Sequence, residues 1–159
     1  MDRAVESRAM RMRHRNEITI AASQQAVWRV FDDPDATQHW QPTLKSHTLI
    51  AGEPGEVGCV YELVFDNDGR DIKAVATLTE KQPYEIMAST TDSDSSFSTM
   101  RNRFQRIDDN HTRWFFDIEY RFKGLYKLVA FFLRKSMRVR ADAEMQNFKT
   151  LVESEHQGE

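Results

Sequence analysis

The sequence predicts an α+β fold: a curved antiparallel sheet of about seven strands, two short helices after the first strand, and a long C-terminal helix across the concave face. Three observations carry this expectation. The run from Gly124 to Glu155 has no proline and no further glycine, and it is rich in Leu, Ala, Met, Lys, Arg, Glu and Gln, all good helix formers. At about 1.5 Å per residue it reaches roughly 45 Å, enough to cross a small domain. Ahead of it lie segments of strand-like alternation, separated by Gly, Pro, Asn and Asp clusters. After the first of those segments the apolar spacing turns helical.

In chain order, Met10 to Ala22 alternates, with Met12, His14, Asn16, Ile18 and Ile20 on one side and Arg11, Arg13, Arg15, Glu17 and Thr19 on the other. Ser23 is a candidate N-cap for a short helix to Asp32, with Ala26, Val27, Val30 and Phe31 at helical spacing. Asp33-Pro34-Asp35 ends it and opens a second turn, Ala36 to His39, before Trp40-Gln41-Pro42. Further strands are expected at Leu44–Ala51, Val57–Phe65, Arg70–Thr79, Tyr84–Thr91, Phe97–Ile107 and Thr112–Phe122. Asp66-Asn67-Asp68-Gly69 is a hairpin signal between the third and fourth.

The last strand alternates most cleanly, with Trp114, Phe116, Ile118, Tyr120 and Phe122 on one face; Phe115 interrupts the polar outer face. Its register against the preceding strand decides what faces inward. A symmetric turn sets Arg101 and Arg103 beside Phe116 and Ile118; a one-residue bulge sets Met100, Asn102 and Phe104 there instead. Burying two unpaired arginines costs far more than a bulge, so the bulge is expected.

The long helix has two unlike halves. Leu125 to Leu133 is apolar almost all round, whereas from Met137 one stripe remains: Met137, Ala141, Met145, Phe148 and Val152. At about 100° per residue the apolar centre of the first half points away from that stripe. Two readings stay open: a kink near Arg134–Arg138 with the first half tucked under a loop or acting as a lid, or one continuous helix with its first turns more deeply buried.

The 159 residues fit one domain, and 40% hydrophobic content is enough for a core. A net charge of -3 argues against nucleic-acid binding. The single cysteine, Cys59, excludes an internal disulfide and agrees with a cytoplasmic, reducing location. The N-terminus carries Arg3 and Arg8 but no apolar stretch of signal-peptide length. Residues 1–11 are expected to be a flexible basic arm, 12–155 the domain, and 156–159 a disordered tail.

Candidate chemistry is sparse. His14, His39, His47, His111 and His156 do not stand at metal-ligand spacing, so neither metal nor other cofactor is expected. Cys59 sits in a strand-like apolar setting, which suits an inert buried thiol. Gly55-Glu56-Val57-Gly58 precedes a strand and is no phosphate loop. Asp117 and Glu119 read as an outward, solvated pair partnered by Arg101, Arg103 or Arg121. Glu62 and Asn102 are the polar residues for which a cavity-facing position is weighed. Lys123, Lys127, Arg134, Lys135, Arg138 and Arg140 surround the Leu125–Leu133 run, a pattern that suits lipid docking but equally burial or a homodimer. Membrane contact is not the expected reading.

The element order is that of the START-like helix-grip fold, and the sequence resembles the SRPBCC, or polyketide cyclase/dehydrase-like, superfamily. The likeness is carried by Ile18-Thr19-Ile20-Ala21-Ala22-Ser23 running into Val27-Trp28, by Asp33-Pro34 and Trp40-Gln41-Pro42, and by Gly52-Glu53-Pro54-Gly55-Glu56-Val57-Gly58. Thr79-Glu80 with Pro83, Thr112, and Phe148-Lys149 with Glu153 complete it. It implies a container reused for lipids, sterols, hormones and polyketides, with some relatives acting on partner proteins, and it carries no shared catalytic motif.

A curved sheet meeting one helix leaves a gap that side chains or a ligand must fill. The expected lining is Trp40, Tyr61, Met87, Asn102, Phe104, Phe116, Tyr120, Met137, Ala141 and Met145, each of which alone also suits ordinary core packing. The preferred reading is a binding protein for a small hydrophobic molecule. The alternatives are a cyclase or aromatase, with Tyr61, Glu62, Asn102 or Tyr120 steering protons, and an interaction module like the chaperone-activating relatives.

Overall fold

The computed structural model describes residues 11–158. The expected basic arm falls, up to residue 10, outside the described residues, and Arg11 already belongs to the first strand. The elements are β1 (Arg11–Ile20), α1 (Gln24–Phe31), α2 (Pro34–Trp40), β2 (Leu44–Ala51), β3 (Val60–Asn67), β4 (Arg70–Gln82), β5 (Ile86–Ser93), β6 (Ser96–Asp108), β7 (His111–Phe122) and α3 (Tyr126–Gln157). α3 runs through His156 and Gln157, which were expected in the tail, because nothing in Glu155-His156-Gln157 breaks a helix before Gly158.

The strands form one seven-stranded sheet in the order β1-β7-β6-β5-β4-β3-β2. Every neighbouring pair is antiparallel. β7 and β1 pair without a slip from Arg11↔Arg121 to Ile20↔Thr112. The β6–β7 ladder slips once, between Arg106 and Asp108, and this is the bulge that charge burial demanded. Beyond it Met100 faces Ile118, Asn102 faces Phe116 and Phe104 faces Trp114.

The arginines therefore sit on the outer face. Arg101 pairs with Glu80, and Arg103 lies opposite Phe115 with its guanidinium 4.4 Å from the ring centre. Phe115 thus interrupts the polar pattern because a cation covers it. The cations that Asp117 meets come from β1, with Arg15 Nε donating at 2.7 Å, whereas Arg121 does lie 3.5 Å from Glu119.

α1 begins at Ser23, whose hydroxyl accepts from the Ala26 N–H, and α2 at Asp33, whose carboxylate accepts from Asp35 N–H with Pro34 in the first turn. Both helices close one end of the sheet. Val27, Trp28, Val30 and Trp40 join Ile20, Phe104, Trp114, Met145, Phe148 and Val152 in one core. Aromatic edges fill its centre: Phe31 lies 4.8 Å from Phe104, and Trp114 lies 5.0 Å from Phe148. In the β2–β3 loop Gly52 has φ 79°, and a Cβ there would stand 2.9 Å from the Cys59 Cα, so the close approach requires glycine. Lys81 Nζ ties this loop to α1, donating to Asp32 at 2.7 Å and to the Gly55 carbonyl at 3.0 Å.

α3 is unbroken, so the kink is not realised. Its inner face carries Ala130, Met137, Ala141, Met145, Phe148 and Val152. Glu153 accepts from the Ala21 N–H at 2.8 Å and Lys149 donates to the Thr19 carbonyl at 2.7 Å, fixing α3 along the end of β1. The expected burial of the first turns is not realised either. Helical phase puts Leu125, Leu128, Phe132 and Val139 opposite the inner face, and they are 80%, 74%, 79% and 58% exposed.

Candidate functional site

Between the sheet and α3 lies a cavity of about 320 Å³, partly open to solvent. Side chains reach it from β3 and β4 (Leu63, Phe65, Ile72, Ala74) as well as from β7 (Phe116, Ile118, Tyr120), so the sheet curls around it. α3 supplies the roof with Met137, Arg140, Ala141, Glu144 and Met145. Phe31, Trp40 and Trp114 close the α1–α2 end. Register places hydroxyls across the floor: Thr91 pairs with Ser98, and Ser98 with Tyr120. The cavity is thus aromatic at one end and hydroxylated toward the β5–β6 hairpin.

Of the residues expected to line it, Trp40, Asn102, Phe116, Tyr120, Met137, Ala141 and Met145 do so. Phe104 does not; it is enclosed by Trp28, Phe31 and Trp114 and is 2% exposed. Met87 shares its face with Asn102 but packs against the core at the α1–α2 end. Tyr61 lies on the cavity face of β3, two residues before Leu63, where its hydroxyl accepts from the Gly55 N–H at 3.3 Å and its ring lies 4.3 Å from His47. Glu62 alternates with Leu63 and so points to the opposite face, removing it from any proton-steering role.

Asn102 is held rather than free. Its Oδ1 accepts from Trp114 Nε1 at 2.9 Å, and its Nδ2 donates to the Met87 carbonyl at 3.4 Å. Two other wall residues keep buried polar atoms without a hydrogen-bond partner: Trp40 Nε1 and Thr43 Oγ1.

Sequence reasoning missed the two charged roof residues. Glu144 is half-buried over the cavity; desolvation pushes its carboxyl up to about 7, against the opposing pull of the Arg140 guanidinium and the Gln41 amide. The Tyr120 hydroxyl is pushed up to about 12, first by burial and then by the Glu144 charge. The available signal was phase: Arg140 and Glu144 each precede by one position a residue of the Ala141, Met145 stripe, so they flank it. Among the described residues no group of three or more His, Cys, Asp or Glu stands together to hold a metal. Among them, too, no helix is long and apolar enough to cross a membrane.

The family model for polyketide cyclase/dehydrase and lipid transport matches residues 11–153. The chain belongs to this family. Several solved structures share this fold at low identity. The Zhui aromatase/cyclase from Streptomyces sp. R1128 aligns with a TM-score of 0.77 at 12% identity, over 90% of this chain and 94% of that one. Ara h 8.0201 aligns at 0.72 and 13%, over 91% and 99%. Norcoclaurine synthase from Thalictrum flavum, in complex with dopamine and hydroxybenzaldehyde, aligns at 0.66 and 14%, over 89% and 86%. At these identities the likeness speaks to the fold alone. No curated protein matches the sequence.

Proposed function

We propose that the protein binds a small hydrophobic molecule (a lipid, sterol or polyketide-like compound) between the sheet and α3, as a cytoplasmic binding protein. The observation that carries this is the cavity itself. Its volume of about 320 Å³ falls at the lower end of the range for small-molecule sites, and its wall surface is mainly apolar, with polar groups gathered on the β5–β6 side and in the roof. A ligand at a hundredfold excess over its dissociation constant stabilises the fold by about 2.7 kcal/mol, roughly 5–10 °C in a domain of this size. Native mass spectrometry and thermal-shift measurements with fatty acids, sterols and aromatic polyketides read both effects. No bound mass and no shift with any of these classes would overturn the proposal.

A second reading has one specific observation in its favour. Glu144, in the cavity roof, takes up or releases a proton near neutral pH, as a general acid or base must. In a cyclase or aromatase it would move protons on a folded polyketone chain, with no metal or nucleotide cofactor in the scheme. The discriminating variant is Glu144→Gln. It should keep ligand binding and lose turnover under the enzyme reading; wild-type binding without any turnover favours the carrier.

A further inference from the structure

The N-terminal half of α3 presents a surface that the cavity does not use. Leu125, Leu128 and Phe132 form its outward pole, and Phe131, 78% exposed, lies on the flank. At about 100° per residue Lys135 joins the pole and Lys127 and Arg138 fall on the side of Phe131, whereas Arg134 falls on the inner side, bordering a cleft with Met12, His14 and Tyr120. No acidic residue occurs between Phe122 and Asp142, in a chain whose acidic residues otherwise outnumber its lysines and arginines, 25 to 22. The first turn of the helix also carries no acidic side chain to offset the positive end of its dipole.

The chemistry of this surface selects its partner. Apolar side chains at the pole gain only from leaving water, and the cations around them gain only from negative charge. A second copy would bring the same cations against each other, which disfavours a homodimer through this face. A nucleic acid would meet the lysines and arginines but leave Leu125, Leu128 and Phe132 in water. An anionic bilayer satisfies both needs, since its interface takes apolar side chains about 5–10 Å deep beneath a layer of phosphates.

We propose that this half of α3 docks on the surface of an anionic lipid bilayer, lying in the interface plane rather than crossing it. Lys123 is already engaged by Asp92, Arg138 donates to His14 Nδ1 at 3.3 Å, and Arg134 turns toward β1, so Lys127 and Lys135 supply the headgroup contacts. This inference rests on the helix surface alone and holds whether or not the cavity is filled.

The test uses the full chain and sedimenting vesicles of phosphatidylcholine, with and without phosphatidylglycerol. Binding is expected only to the phosphatidylglycerol vesicles and should weaken with added salt. Lys127→Gln and Lys135→Gln should each weaken it about fivefold. The pair Phe131→Ser and Phe132→Ser should weaken it at least about tenfold without lowering the melting temperature, because both rings are solvent-exposed. Failure to sediment with either vesicle overturns the proposal, as does equal binding to both compositions. So does a dimer, seen by light scattering, that Phe132→Ser dissociates while vesicle binding is absent.

Discussion

Replacing Glu144 with glutamine isolates the charge in the cavity roof. The carboxyl titrates near 7 in the folded protein against an ordinary 4.5, which corresponds to about 3 kcal/mol of preference for its neutral form. Because the cavity is partly open to water, we expect about 1–2 kcal/mol to be expressed. The sign follows from proton counting. Between 4.5 and about 7 the folded chain holds a proton that the unfolded chain has released. This contribution to stability is therefore fully present below 4.5 and is lost as pH rises through about 7. Glutamine mimics the neutral acid and has nothing to titrate. Urea unfolding of both proteins should give nearly equal stabilities at about pH 4.5, with Glu144→Gln ahead by about 1–2 kcal/mol at about pH 8. Parallel pH profiles for the two proteins would refute the desolvation argument and, with it, any neutral-range proton transfer at this position.

Three further outcomes are expected. Trp114→Phe keeps an aromatic ring, though a smaller one, and removes the donor to Asn102, leaving a buried amide oxygen unpaired; calorimetry should register a loss of at least about 1–3 kcal/mol, and adding Asn102→Leu should recover part of it. Burial pushes the Glu153 carboxyl up, yet Lys149 and the Ala21 N–H together hold it below its ordinary range. Its contribution is present above 4.5 and lost as pH falls, so Glu153→Ala should cost about 1 kcal/mol at neutral pH and less in acid, as read by urea unfolding. Ala141→Trp should fill much of the cavity and abolish ligand-induced thermal shifts while circular dichroism stays unchanged; undiminished shifts would place the ligand elsewhere.

Much of the fold was legible because its determinants are local. Alternation located β7, the Ser23 cap and the Asp33-Pro34-Asp35 break located α1 and α2, and two arginines unsuited to burial located the bulge. The cavity residues on β6, β7 and the α3 stripe followed from the same periodicities. What escaped depended on where the elements end in space. Tyr61 was assigned to the correct face but beyond the cavity's reach, and Met87 to a face that α1 and α2 cover. Glu144 and Arg140 were passed over because a charged residue on a helix ordinarily points to water; only the sheet's curl brings these two over a cavity. The exposed Leu125–Leu133 surface was misjudged because apolar residues were expected to find cover within the chain. An interaction module would combine a filled interior with a large exposed apolar patch; the Leu125–Leu133 surface meets the second condition, and the cavity under α3 fails the first.

The extra residue between Arg106 and Asp108 has a reach out of proportion to its size. It acts as a parity switch: every position of β6 from Ser96 to Arg106 owes its wet or dry side to that one added unit. Tolerance of the strand to change is consequently uneven. Many single replacements along it alter one neighbour each, whereas shortening the rim by one residue would exchange both sides together, drawing guanidinium groups into the hollow and turning Asn102 and Phe104 out. Anyone reshaping this container for a different guest should hold the length of that rim constant and vary the walls.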